Sequence, residues 1–230
     1  MEPQKGRTMA KTQQVSVDLP EIGILEVTIE NSPGRGLIVH RFGQKAKNEM
    51  LAKQVKGTRK KKELRDPDQE YRDSLYYLNG SARYESEGGP KKLTGKEKFG
   101  FPANAVKNAM VSACRTVDGL PMTMARTVFF VMGTHGDLIQ VHGKPQKRED
   151  IVRLSGPSRD PMVRFRAEFP EWEMTFRVEY EKSLIEKRDI LNLLQKAGFH
   201  VGLGDWRPEK SGNTFGRFVV KDAKDIKTDG

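Results

Sequence analysis

The chain has 230 residues, and its 41 Lys+Arg against 31 Asp+Glu leave a formal charge of +10, an excess that points to a polyanionic partner, either nucleic acid or an anionic surface. A single cysteine, Cys114, excludes an internal disulfide and a cysteine-rich zinc site, and no apolar run approaches the roughly 20 residues that span a bilayer. The N-terminus MEPQKGRTMAKTQQ lacks the apolar stretch of a signal peptide, so a soluble, cytoplasmic protein with no membrane partner is expected.

Residues 1–21 read as a flexible arm. At 22–30, IGILEVTIE alternates Leu25, Val27 and Ile29 with Glu26, Thr28 and Glu30, the period-two pattern of a half-buried strand. NSPGRG then turns, and LIVHRF follows as a second strand or as the first continued beyond a bend. From 44 to 98 regular patterning gives way to a charged, mobile insertion, partly helical. Within it Lys53, Lys56, Arg59, Lys60, Lys61 and Lys62 form a run without an acid, which is either a phosphate contact or a solvated loop. Tyr76, Tyr77 and Tyr84 add rings suited to stacking on bases.

Helical spacing returns at FPANAVKNAMVSACRTVDG, where Val106, Ala109, Met110, Ala113, Cys114 and Val117 share a face, with Pro102 in the first turn and Gly119 past the end. Cys114 belongs to that apolar stripe, which makes it a core residue rather than a nucleophile. RTVFFVM and DLIQVH read as strands joined around GTHG in a hairpin-type connection. PMVRFRAEF alternates Val163, Phe165 and Ala167 with Arg164, Arg166 and Glu168, and EWEMTFRVEY sets Trp172, Met174, Phe176, Val178 and Tyr180 on one face. A second helix is expected from Ser183, in capping-box register with Glu186, to Gly198 at the C′ position. TFGRFVV closes the fold as a strand, and 221–230 reads as a polar tail.

Without the insertion and an extra hairpin, this is the βαββαβ order of an α+β, ferredoxin-like (RRM-like) antiparallel sheet. It forms one domain over 22–220, with two helices on one face and the other face free to bind. Between the last helix and strand, VGLGDWRPEKSGNTFG admits three readings: a phosphate cradle, a close backbone crossing, or a turn. Gly202 and Gly204 give a GxG, but no third glycine follows at dinucleotide-binding spacing and no GK[ST] is present, so no nucleotide cofactor is expected. Trp206 either stacks on a base or folds back over the second helix against Leu194 and Phe199.

Catalysis finds no converging set. His40, His135, His142 and His200 are scattered; a metal-independent ribonuclease could use His40 or His135 as acid or base, but sequence shows neither one's partner. Asp66, Asp68 and Glu70 alternate as a magnesium site might, but the setting of a polar linker argues against it, and no metal is expected.

FGFPANAVKNAMVSACR resembles the segment that opens the first helix in the RAMP superfamily, which includes the backbone subunits of CRISPR effector complexes. AGFHVGLGDWRPEKSGNTFGRF is similar to the glycine-rich loop that follows the second helix in those proteins. The likeness runs from Phe99 to Val220, and comparable C-terminal patterns occur in phage and prophage proteins. It implies a ferredoxin-like fold, RNA rather than DNA as ligand, residues 44–98 as a gripping excursion, and copies assembling side by side. Together the residues and the resemblance give a non-enzymatic, single-stranded nucleic-acid-binding protein. Its expected contacts are the 53–62 cations, Tyr76, Tyr77, Trp206, Arg207, Arg217 and Phe218. A structural or assembly protein of a phage-like particle and a metal-independent ribonuclease of the same fold are the alternatives.

Overall fold

A computed structural model describes residues 19–42, 48, 50–51, 65–78, 89–153 and 161–226. In chain order its strands are β1 (Ile22–Asn31), β2 (Leu37–Val39), β3 (Tyr76–Tyr77), β4 (Phe99–Pro102), β5 (Phe129–Met132), β6 (Leu138–His142), β7 (Gln146–Arg153), β8 (Pro161–Phe169), β9 (Glu173–Glu181) and β10 (Phe218–Ile226). The helices are α1 (Pro67–Asp73), α2 (Ala103–Ala113), α3 (Met122–Val128), α4 (Lys187–Lys196) and the single turn α5 (Pro208–Ser211).

Four strands lie in the order β10-β1-β9-β5, every neighbour antiparallel. The helical segment α2–α3 lies between β1 and β5 in sequence and α4 between β9 and β10, so the chain follows βαββαβ and has the α+β, ferredoxin-like architecture. Alternation decides which face is covered. Leu25, Val27 and Ile29 of β1 lie beside Met174, Phe176 and Val178 of β9, all at 0% exposure, under Val106, Met110, Ile190 and Leu194 of α2 and α4. Cys114 is buried there and burial pushes its thiol up, consistent with a core residue.

Beyond β5, β6 continues along the same edge of β9 and extends the sheet through β4 to β3. A second sheet, β2-β8-β7, shares the core through Leu37, Val39, Ala167 and Phe169, and Phe99 meets Phe169 edge-on at 5.8 Å. The register Arg148↔Arg166, Asp150↔Arg164 puts these four residues on one face of the β7–β8 hairpin.

Several expectations are corrected. Part of the presumed mobile insertion is integral: Asp66 caps α1 by accepting from the Asp68 and Gln69 amides, Leu75 has 0% exposure, and Ser74 Oγ accepts from the Ala167 amide of β8 at 2.8 Å. β5 and β6 do not form a hairpin with each other; each pairs with β9, and only the bridge His135↔Leu138 closes the GTHG link. Arg126–Val128 belong to α3, not to the strand. Ser183 does not cap a helix. Its hydroxyl donates to Glu181 Oε1, the Glu181 carbonyl accepts from Leu184 and Ile185, and this turn buries Ile185 before α4 starts at Lys187. Gly198 is not a C′ residue but part of a π-helical turn, Ala197–Val201; a Cβ there would lie 2.0 Å from the Phe218 carbonyl oxygen of β10. Residues 221–226, expected as tail, complete β10.

Candidate nucleic-acid interface

The glycine loop crosses β2 rather than opening a cradle. Leu203 donates to Gly216 O, Gly216 to Gly36 O and Asp205 to Ile38 O, each at 2.8–2.9 Å. At this spacing two positions admit only glycine: a Cβ on Gly204 would sit 2.3 Å from Ile38 O, and one on Gly216 only 1.8 Å from Leu203 O, both at positive φ. The close-crossing reading therefore holds, together with a left-handed turn.

The crossing seats Asp205 and Trp206 on the arginine face of the β7–β8 hairpin. Arg166 is 2% exposed and donates to Asp150 Oδ2 at 2.6 Å and to Asp205 Oδ2 at 2.8 Å. Arg148 donates to both Asp150 oxygens and to Glu168 Oε2 at 2.8 Å. His40 Nδ1 lies 3.3 Å from Asp205 Oδ2. Burial pushes the Asp205 carboxyl up, but hydrogen bonds from His40 and Arg166 outweigh it and hold the group below the usual carboxylate range.

Trp206 has φ 55°, a strained backbone for a bulky residue, and its ring explains why it is held there. The Arg166 guanidinium lies 4.6 Å from the ring centroid and that of Arg148 5.2 Å; Arg148 also lies 4.6 Å over Phe215, whose ring is 6.1 Å from Trp206. Trp206 thus neither packs on Phe199 nor presents a bare ring. It belongs to a half-buried arginine–aromatic stack whose two central cations are matched by Asp150, Glu168 and Asp205. Arg164, on the same hairpin face, has no ion pair among the described residues.

The other expected contacts divide. Arg207 donates to Gly204 O at 3.1 Å and to Glu209 at 3.3 Å, which stiffens the loop. Burial works against the Glu209 carboxylate, but Ser112, Arg207 and Arg115 hold it below its usual range. Phe218 is 1% exposed, edge-on to Trp172 at 6.4 Å, and is unavailable for stacking because it anchors β10 in the core. Tyr76 and Tyr77 are half-buried against Phe101 and Phe99, and burial pushes the Tyr77 phenol up as it donates to Arg72 O. Arg217 lies 4.3 Å over the ring of Phe199. Lys53, Lys56, Arg59, Lys60, Lys61, Lys62 and Tyr84 lie outside the described residues.

Asp66, Asp68 and Glu70 do not converge: Asp66 caps α1, Asp68 pairs with Lys147 at 2.6 Å, and Glu70 pairs with Arg65. Among the described residues no group of three or more His, Cys, Asp or Glu could hold a metal ion, and no helix is long and apolar enough to cross a membrane. Sequence reading missed Asp150, Arg148 and Phe215. The available signal was PMVRFRAEF itself, where Arg164 and Arg166 alternate on one face and invite a search for a facing carboxylate.

No protein-family model matches the chain, and no curated protein does. Among solved structures it is similar to a chain in the cryo-EM structure of the Type III-B Cmr-beta bound to cognate target RNA, at 13% identity and a TM-score of 0.48. The alignment covers 90% of this chain and 61% of the length of that one.

Proposed function

We propose that the protein binds single-stranded nucleic acid without catalysing a reaction on it, takes RNA in preference to DNA, and assembles in copies along its ligand. The observation that carries this reading is that the glycine-loop end holds aromatic rings together with arginines that have no ion pair among the described residues: Arg217 lies 4.3 Å over Phe199, and Arg164 shares a hairpin face with the Trp206–Phe215 stack. Sequence-tolerant grip on a single strand needs this pairing of flat apolar faces with cations, and the net charge of +10 supplies the long-range attraction. The preference for RNA follows from the resemblance of the Phe99–Val220 region to RAMP sequences. The decisive measurement is anisotropy of labelled RNA and DNA single strands over a salt series. Binding that weakens linearly in log salt, and is tighter for RNA, is expected; absence of binding at low salt overturns the proposal.

One observation favours a second reading, metal-independent RNA cleavage. His40 is oriented by Asp205 through Nδ1, leaving its other ring nitrogen to take the proton of a ribose 2′-hydroxyl. The 2′-oxygen would then attack the adjacent phosphorus to form a 2′,3′-cyclic phosphate and expel the 5′-oxygen, which takes its proton from solvent water while His40 returns its own to solvent. Labelled RNA incubated with the protein in EDTA decides the matter: intact strands exclude it, and cleavage abolished by His40→Ala establishes it.

A further inference from the structure

Helix α4 buries Ile190, Leu193 and Leu194, and that stripe continues through Ala197 and Val201. Between them the helix widens into the π turn, closed by the Gly202 amide donating to Ala197 O at 2.9 Å. Such turns insert a residue into a helix and recur at functional sites. Here the widened turn leaves Phe199 outside the core at 59% exposure, although burying a phenyl ring is worth about 1.5–3 kcal/mol. The Arg217 guanidinium lies 4.3 Å over the ring, and His200 stands edge-on at 4.9 Å.

Arg217 differs from the arginines of the Trp206 stack. Arg148 and Arg166 are neutralised by carboxylates, whereas the Arg217 side chain has neither an ion pair nor a hydrogen bond among the described residues, and its Nε is buried without a partner. Its own carbonyl accepts from Ser32, in the turn that leads to Arg35, where the neighbouring Asn31 donates to Glu171, and Lys196, at the end of α4, reaches the Thr116 carbonyl. Neither Arg35 nor Lys196 has a carboxylate partner among the described residues, so the site joins an unmatched guanidinium to an open aromatic face. Gly216 links it to Phe215 and the Trp206 stack.

We infer that Phe199 and Arg217 form a further contact for a single-stranded RNA, a base stacking on the open face of the ring while the guanidinium takes a backbone phosphate. The inference rests on the nucleic-acid reading and names residues for it. A stacked base must be unpaired, so the ligand is single-stranded. An acidic peptide or an anionic lipid surface would use the cation without the ring.

The test titrates fluorescein-labelled oligouridine with the full chain and with Phe199→Ala, Phe199→Trp and Arg217→Gln over a salt series. Phe199→Ala is expected to weaken binding by about 5- to 150-fold at unchanged log-log salt slope, and Phe199→Trp to preserve it. Arg217→Gln should weaken binding and lower the slope by about 0.7. Wild-type affinity in both Phe199→Ala and Arg217→Gln removes this contact while leaving the proposed function standing, and a wild-type chain that does not bind removes both. Loss of thermal stability in Phe199→Ala also overturns the inference, since a ring that holds the fold is not a free platform. Binding to an acidic peptide or to phosphatidylserine vesicles that needs Arg217 but not Phe199 assigns the site to those ligands instead.

Discussion

Arg166 is the residue on which the Trp206 stack depends. It is 2% exposed, holds the buried Asp150 and the half-buried Asp205 together, and supports a tryptophan at φ 55°. Replacing it with methionine removes one of the two arginines that hold the buried Asp150, Arg148 remaining, a loss expected to cost about 1–3 kcal/mol, to be read from denaturant unfolding. Asp205 sets a pH dependence. Its carboxyl titrates lower in the folded chain than in the unfolded one, so its stabilisation is present above about pH 4 and is lost as pH falls through the depressed folded value. Asp205→Asn should therefore flatten the acid limb of melting temperature against pH, and a limb of unchanged steepness would show that the network does not carry the effect. Gly216→Ala combines positive φ with a 1.8 Å contact to backbone, whereas Gly212, also at positive φ, has nothing within 4 Å of a Cβ. Gly212→Ala should cost about 1–2 kcal/mol and Gly216→Ala distinctly more, by the same unfolding measurement. The sequence showed that the glycines mattered but not which backbone they crossed, because β2 lies more than 160 residues upstream and no local pattern encodes that contact.

At the scale of elements, legibility followed periodicity. β1 and β9 alternate strictly because one face is buried and the other open, and helix α2 carries its apolar stripe at i, i+3 and i+4 spacing. The sequence misled where tertiary contact overrode the local signal. Ser183 and Glu186 have capping spacing, yet the turn that buries Ile185 delays the helix to Lys187. The alternation of β8 gives it a polar face, but the glycine loop covers that face and turns Arg166 into a core residue. Pro67–Tyr77 reads as part of a charged insertion because its apolar anchors are few, Leu75 being the fully buried one. That difference is measurable. In a solvated insertion Leu75→Ala would be nearly silent, but with Leu75 at 0% exposure it should cost about 2–5 kcal/mol of unfolding free energy. A change below 0.5 kcal/mol, the range of exposed positions, would return 65–78 to the insertion.

For the molecule as a whole, the question is which side meets a polyanion, and the free face of the main sheet is poorly suited to it. Glu26, Glu30, Glu173 and Glu179 lie there with Arg177, Lys221 and Lys224. Lys221 is taken up by Glu30 at 3.0 Å and Glu173 at 2.5 Å, which raise its ammonium pKa, and Arg177 lies 4.0 Å from Glu26. The centre of the face is a Thr28–Thr175 hydroxyl pair at 2.9 Å, with no aromatic ring on either strand there. The sequence suggested that this open face binds, since uncovered sheets of this architecture are available surfaces, but the positions pairing across β1 and β9 bring carboxylates together. The glycine-loop end holds Arg164 and Arg217, neither with an ion pair among the described residues, together with the rings of Trp206, Phe215 and Phe199. Arg177→Gln and Lys224→Gln combined should therefore leave single-strand RNA affinity and its salt slope at wild-type values. Arg164→Gln and Arg217→Gln combined should lower the slope by about 1.4, that is about 0.7 for each lost phosphate contact. Both pairs remove two charges, so any change that reflects net charge alone appears equally in each. Equal losses in the two would mean the protein attracts RNA through its overall field, whereas loss confined to the sheet-face pair would place the strand on the opposite side of the molecule.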